Sequence, residues 1–246
     1  YNMEELLEVS DQLIQNTQMG FKRYLYSKID WREKLIGIKG ARGTGKTTLL
    51  LQYLKESNLH RSQIAYFSLD EIYFLSHNVV EVVKRFYQSG GKIVVLDEVH
   101  KYPNWSKELK ILHDRYKELQ IVFTGSSIID ITKEEGDLSR RAIIYELHGL
   151  SYREFLLFRK GIELPALKLE DLLSQDISIR SYFPPDFLPF AHFQAYLRIG
   201  YFPFFGDNEM IYFKKLRQLA RTIVEYDMAE IRGFDIRNGK KLLQLL

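Results

Sequence analysis

Gly40-Ala41-Arg42-Gly43-Thr44-Gly45-Lys46-Thr47 spells G-x-x-x-x-G-K-T, and its surroundings decide the fold. A short apolar run, Leu35-Ile36-Gly37-Ile38, precedes it, and a helix-forming stretch from Thr48 to Leu54 follows. Strand, glycine-rich loop and helix in that order are the context a phosphate-binding loop requires. The glycines let the backbone curl so that successive N–H groups face inward at a helix N-terminus, where they cradle phosphate oxygens. On this reading Gly40 to Thr48 bind a nucleotide, Lys46 reaches the β- and γ-phosphates, and the Thr47 hydroxyl ligates Mg²⁺. Arg42 lies inside the loop, with nothing in the sequence to fix its direction.

Downstream, Lys92-Ile93-Val94-Val95-Leu96-Asp97-Glu98 is an apolar run ending in two acids. Such a run reads as a strand buried on both faces, as in a parallel sheet. An unpartnered buried carboxylate is costly, so acids at the strand's end call for a cation or water. Asp97 suits the metal-holding role and Glu98 that of orienting or deprotonating an attacking water. The alternative, in which both acids merely cap the following helix, is weakened by the phosphate loop. An acidic pair favours a hydrolase over a small-molecule kinase, and the chain has no Asn-Lys-x-Asp guanine-reading motif, so ATP is expected rather than GTP. Gln120-Ile121-Val122-Phe123-Thr124-Gly125-Ser126-Ser127 forms another buried-strand pattern ending in small polar residues. Thr124 or Ser126 suits a polar sensor near the γ-phosphate. Ser126 or Ser127 equally suits the N-cap of a helix over Ile128–Ile131.

The 246 residues, 46% hydrophobic and 14% aromatic, are enough for one full domain and a smaller second one. No apolar run reaches the length of a membrane span, and no signal-peptide pattern is present. The chain contains no cysteine, which excludes disulfides and thiolate metal sites and fits a reducing, cytoplasmic setting. A formal charge of +3 is spread along the chain. Lys214, Lys215, Arg217 and Arg221 read first as the solvated face of a helix that buries Leu216, Leu219, Ile223 and Tyr226; a nucleic-acid patch is the weaker reading. The six histidines lack zinc-site spacing. His100, close behind the acidic pair, reads as a partly exposed helix-entry residue or as a sensor of nucleotide state.

Along the chain, a helix is expected over 3–19. Strands follow at Leu35–Lys39, Ile64–Leu69, around Lys92–Asp97, up to Thr124, and at Ala142–Leu147. Helices with i, i+3, i+4, i+7 apolar spacing at Val79, Val82, Val83 and Phe86, and from Trp105 to Leu119, lie between them. Gly90-Gly91 closes the first of these. Alternation of this kind implies parallel strands with right-handed crossovers, and ligands at the strands' carboxyl ends. After Gly149 the texture changes. Ser151-Tyr152-Arg153-Glu154 reads as a capping box, and the chain from Ser181 to Phe213 is crowded with Phe, Tyr and Pro, read as the core of a helical subdomain or an interface rather than a base-stacking surface. Boundaries are placed at 1–149 for the nucleotide-binding domain and 150–246 for a mainly helical subdomain. The last stretch, Lys240–Leu246, has helical spacing and no Gly or Pro, so the chain is read as a fragment of a longer protein.

With the phosphate loop, Leu96-Asp97-Glu98-Val99-His100-Lys101, Phe123-Thr124-Gly125-Ser126-Ser127 and Leu138-Ser139-Arg140-Arg141 in order, the chain resembles prokaryotic AAA-type ATPases related to archaeal ATPases, within the AAA+ superfamily. The resemblance is strongest over 30–155. Farther on, Tyr196-Leu197-Arg198-Ile199-Gly200-Tyr201-Phe202-Pro203 is similar to a family Gly-Gly-aromatic-Pro element, with Tyr201 replacing the second Gly. It implies an α/β P-loop sheet of order 5-1-4-3-2 flanked by helices, followed by the smaller helical subdomain. It also implies Mg²⁺-dependent ATP hydrolysis with ATP and ADP as ligands, and a winged-helix and nuclease-like region farther along. Arg141 matches the family arginine after strand five, which acts at the nucleotide in cis or from a neighbouring subunit, or pairs with an acid at the sheet edge. A nucleotide-dependent DNA-binding switch, with DNA reached through that further region, is the competing function, and a homo-oligomer is the assembly the family implies.

Overall fold

The structure is a computed structural model that describes residues 2–126, 138, 140–174, 183–204 and 208–227. Among these, five parallel strands form one sheet: β1 (Leu35–Gly40), β2 (Ile64–Ser68), β3 (Ile93–Asp97), β4 (Gln120–Ser126) and β5 (Ile143–Glu146). Their spatial order is β2-β3-β4-β1-β5, the expected 5-1-4-3-2 read from the other edge. Four helices complete this layer structure: α1 (Met3–Asn16), α2 (Lys46–Glu56), α3 (Val79–Gln88) and α4 (Trp105–Arg115).

Strand periodicity sorts the core onto two faces. Leu35, Ala65, Phe67, Val94, Leu96, Ile121 and Phe123 pack with Val79, Val82, Val83 and Phe86 of α3 and Leu109 and Leu112 of α4. Ile36, Ile38, Tyr66, Val95 and Val122 pack instead with Leu49, Leu50, Leu51 and Leu54 of α2. β1, β3 and β4 are central and nearly wholly buried, which explains their unbroken apolar runs. β5 is an edge strand with two exposed residues, and its sequence is correspondingly less apolar. Gly37 interrupts the aliphatic run of β1 for a packing reason: a Cβ there would lie 2.6 Å from the Phe123 ring.

Local signals work as read at several ends. Asn78 caps α3 by accepting from the Glu81 N–H at 3.3 Å, and Gly90 ends it with φ +95°. α1 stops at Asn16, three residues before the expected end. Thr17 turns to an extended conformation, and the chain beyond is held by the buried Gln52 of α2, whose amide donates to the carbonyls of Gln18 (2.9 Å) and Phe21 (2.8 Å). The helix expected over Ile128–Ile131, the N-cap role of Ser127 and the stretch Lys240–Leu246 lie outside the described residues.

The chain divides into two compact units, Tyr1–His148 with Lys215–Leu246, and Gly149–Lys214. In the second unit, α5 (Tyr152–Lys160) opens with the full capping box: Ser151 Oγ accepts from the Glu154 N–H at 3.2 Å, and Glu154 Oε2 accepts from the Ser151 N–H at 2.9 Å. Among the described residues, α6 (Leu169–Leu173), α7 (Pro189–Ile199) and α8 (Glu209–Thr222) follow. Among the described aromatic residues of the Ser181–Phe213 stretch, Tyr212 is buried and Phe190, Phe193, Tyr201 and Phe213 are exposed; half-buried Tyr196 contacts Tyr152 and Phe155 at ring separations of 5.4 and 5.6 Å. The Tyr201 carbonyl receives the Leu150 N–H at 2.7 Å, and its ring lies where a Cβ on Gly149 would stand. On α8, Lys214, Lys215, Arg217 and Arg221 are exposed while Leu216 and Leu219 are half-buried, the solvated face expected of them.

Candidate nucleotide site

β1 delivers the chain into the phosphate loop, and two glycines turn it. Gly43 and Gly45 have φ of +82° and +94°, left-handed values that cost a side-chain-bearing residue heavily and glycine almost nothing. The loop is bound on both sides. Inside, Thr44 is wholly buried and its hydroxyl donates to the Ala41 carbonyl at 2.8 Å. Outside, the guanidinium of Arg23, 5% exposed, donates to the Thr44 carbonyl and, at 2.7 Å, to the His148 carbonyl just beyond β5. Gly40 leaves no room for a side chain, because a Cβ would overlap the Leu147 carbonyl oxygen.

α2 begins at Lys46, so its first N–H groups and dipole face the loop. The Lys46 ammonium, 5% exposed, donates to the carbonyls of Gly40 (2.9 Å) and Ala41 (3.2 Å). Thr48 is exposed on the same turn of α2.

Opposite the loop, Asp97 ends β3 with 2% exposure and gathers four donors. Its Oδ2 accepts from the Thr47 hydroxyl at 2.6 Å and the Tyr66 phenol at 2.7 Å. Its Oδ1 accepts from the Thr124 hydroxyl and from the Glu98 N–H, the latter at 3.1 Å. Four donors around one carboxylate satisfy the buried acid that the sequence pattern flagged. The pairing of Thr47 with Asp97 also brings together, on one oxygen and one hydroxyl, the hard oxygen ligands a divalent ion such as Mg²⁺ takes. The residues present therefore fit that ion. Burial, and then the nearby Asp97 charge, push the Tyr66 phenol far above its usual range, which keeps it a hydrogen-bond donor.

Glu98 is the next residue, and its backbone is in the left-handed region at φ +53°, ψ +42°. That conformation is uncommon for a residue with a Cβ, costs about 1–3 kcal/mol, and persists only where surrounding contacts over-determine it. Here the Glu98 N–H also donates to Thr124 Oγ1 at 3.0 Å, and its carbonyl accepts from the Lys101 N–H at 2.9 Å. Burial raises the Glu98 carboxyl above its ordinary range; Lys46 opposes this, Asp97 reinforces it, and the weaker influences of Arg42 and Asp70 follow. A carboxylate shifted upward, beside a lysine and facing the loop, is a better proton acceptor than one in water.

The structure thus brings together Lys46, Thr47, Asp97, Glu98 and Thr124 with the loop residues Gly40 to Gly45. It does not bring Arg141 there. Arg141 precedes β5 rather than following it, and its guanidinium grips Asp114 near the end of α4 in a bidentate pair at 2.9 and 3.0 Å. This lies at the amino ends of the strands, opposite to the loop, and is the pairing with a sheet-edge acid that the sequence left open beside a role at the nucleotide. Arg140 is exposed. Ser126 is buried and donates its N–H to His100 Nδ1 at 3.3 Å. His100 stands in the short helical turn after Glu98 and is partly exposed as a residue, as expected, while its side chain is 2% exposed. Tyr66 and Arg23 escaped the sequence reading altogether. A tyrosine in the otherwise apolar strand next to β3 is the signal that marks the first; for Arg23 the sequence carries none, because its two acceptors are distant backbone carbonyls.

Comparison with known proteins agrees with this geometry. The family model described as "AAA domain" matches residues 32–156. The chain is 29% identical over 228 residues to Uncharacterized protein MJ1637 of Methanocaldococcus jannaschii, covering 87% of this chain and 48% of that protein; it spans about half the length of the curated relative it matches. Among solved structures, PCH-2 from C. elegans superposes with a TM-score of 0.42 at 15% identity, covering 98% of this chain and 67% of that one. AMPPCP-bound DnaA from Aquifex aeolicus gives 0.40 at 14% identity, covering 96% and 76%. No helix among the described residues is long and apolar enough to cross a membrane. A phosphate loop on β1, an acidic pair on β3 and a polar strand tip on β4 occupy one edge of a parallel sheet within the matched span, and the chain belongs to the AAA domain family.

Proposed function

We propose that this domain binds ATP at Gly40–Thr48 and hydrolyses it by in-line attack of water on the γ-phosphate. The observation that supports this most directly is the contact between the Thr47 hydroxyl and Asp97, at 2.6 Å, with the Lys46 ammonium on one side and Glu98 on the other. Thr47 and Asp97 would hold Mg²⁺, which when bound supplies positive charge against the phosphate oxygens. Lys46 exchanges the Gly40 and Ala41 carbonyls for phosphate oxygens and stabilises the charge that develops there. Glu98 orients a water and takes its proton at the carboxylate. Thr124 holds the backbone of Glu98 and the carboxylate of Asp97 in one register, so the metal-holding and water-orienting acids move together. Burial around Asp97 and Thr124 keeps these electrostatic effects strong.

Turnover would drive a change in a further region of the full-length protein, since the matched relative is about twice as long as the chain. Nothing on these residues favours a DNA-binding switch over a hydrolase. Titration of the domain with ATP and with GTP, in Mg²⁺ and then in EDTA, tests the binding half. ATP affinity is expected to fall about tenfold or more without the ion, because the oxygen pair then loses its bridge to phosphate. Equal affinity with and without Mg²⁺ would mean that Thr47 and Asp97 hold no ion against the nucleotide.

A further inference from the structure

Behind Glu98 sits a buried imidazole that the hydrolytic mechanism does not use. His100 Nε2 lies 3.4 Å from Glu98 Oε2, and its side chain is 2% exposed against 23% for Glu98. The tautomer follows from the other ring nitrogen. Nδ1 faces the Ser126 backbone N–H at 3.3 Å; a backbone N–H can only donate, so Nδ1 is the acceptor and a neutral ring carries its proton on Nε2. That proton is on the side of the Glu98 carboxylate. The separation is slightly beyond an ordinary hydrogen bond, as is common for catalytic pairs before the reactant is in place.

β4 therefore reaches Glu98 by two routes. Thr124 accepts the Glu98 N–H and fixes the left-handed backbone. Two residues on, the Ser126 N–H fixes the His100 ring, and the ring faces the carboxylate. A side chain on strained backbone is aimed only as well as its contacts aim it. The charges of Lys46, Arg42, Asp97 and Asp70 act on Glu98; the imidazole Nε2 faces its carboxylate at 3.4 Å, with no hydrogen bond formed between them in the structure.

We propose that His100 is a positioning residue for Glu98: its Nε2–H holds the carboxylate in the orientation that receives the water proton, and its Nδ1 ties that orientation to the end of β4. The inference rests on the proposed hydrolysis. His100 touches neither nucleotide nor metal in this role, so its removal changes turnover and not ATP affinity.

Two substitutions separate the ring's two nitrogens. Glutamine carries an amide N–H near the position of Nε2 and can still donate to Glu98. Asparagine places its amide oxygen near Nδ1 and can still accept from Ser126, but is too short to reach Glu98. ATP affinity, KM and kcat are measured for wild type, His100→Asn and His100→Gln, with retained affinity reporting intact folding. His100→Asn is expected to lose about tenfold to a hundredfold in kcat, the usual cost of removing an outer partner of a reactive group, with KM and affinity within about twofold. His100→Gln is expected to recover most of that loss. Wild-type kcat in His100→Asn, equal losses in both variants, or a matching rise in KM would overturn the inference while leaving the hydrolase standing. A wild-type protein that binds ATP and releases no phosphate would overturn both.

Discussion

Lys46→Ala is expected to abolish measurable nucleotide binding while leaving the domain folded. The ammonium is nearly buried and holds two loop carbonyls, Gly40 and Ala41. On the proposed reading the same ammonium exchanges these carbonyls for phosphate oxygens. Each charge-assisted hydrogen bond to a phosphate oxygen contributes about 1.5–3 kcal/mol. Losing two of them, together with the ion's field in a low-dielectric loop, amounts to about a hundredfold or more in affinity. The fold should tolerate the change better than the site does. The loop stays braced by Thr44 on Ala41 and by Arg23 on Thr44, and the two carbonyls released from Lys46 can be reached by water once the side chain is gone. Calorimetric titration with ATP, alongside a thermal melt, reads both effects. Near-normal affinity would mean that the nucleotide does not lie on this loop.

The second large effect is expected at Asp97. Replacing it with asparagine swaps one acceptor oxygen for an amide N–H₂, in a place where four donors converge. The Glu98 N–H can only donate, so the amide oxygen is held at the Oδ1 position. The N–H₂ then takes the Oδ2 position, where the Thr47 and Tyr66 hydroxyls have to turn from donating to accepting. Every contact of the carboxylate also loses its charge assistance, about 1 kcal/mol apiece, so the variant is expected to be destabilised by about 2–4 kcal/mol and to lose Mg²⁺ dependence of ATP binding. Denaturant titration checks the first and chelator sensitivity the second. A variant of wild-type stability would show that the Asp97 network contributes little to the fold.

What could be read from the chain and what could not divide along a physical line. The phosphate loop, Asp97-Glu98 and Thr124 are legible because their chemistry requires particular residue types at fixed spacing, or at the end of a buried strand. The parallel sheet is legible because its central strands, buried on both faces, need continuous apolar runs. The contacts that tune the site are not local. Tyr66 meets Asp97 across the register of β2 on β3, Arg23 meets carbonyls 21 and 125 residues away, and His100 meets the end of β4. Each depends on which strands are neighbours, so no spacing in the sequence announces it. The pairing of Arg141 with Asp114 is long-range in the same way. The expected strand over Ala142–Leu147 already puts Arg141 at its amino end; what the sequence does not carry is the partner, Asp114, 27 residues away. The left-handed backbone at Glu98 was invisible as well, because a glutamate advertises no such conformation.

The proposed hydrolysis uses Glu98 as the proton acceptor, and phosphate release by wild type and Glu98→Gln at saturating ATP and Mg²⁺ tests that role. The glutamine keeps the size and most contacts of the glutamate but cannot take a proton at neutral pH. Wild-type turnover that falls about a hundredfold or more in the variant, with ATP affinity retained, is the expected result. Equal release by the two proteins, or none by the wild type while ATP binds, would contradict it.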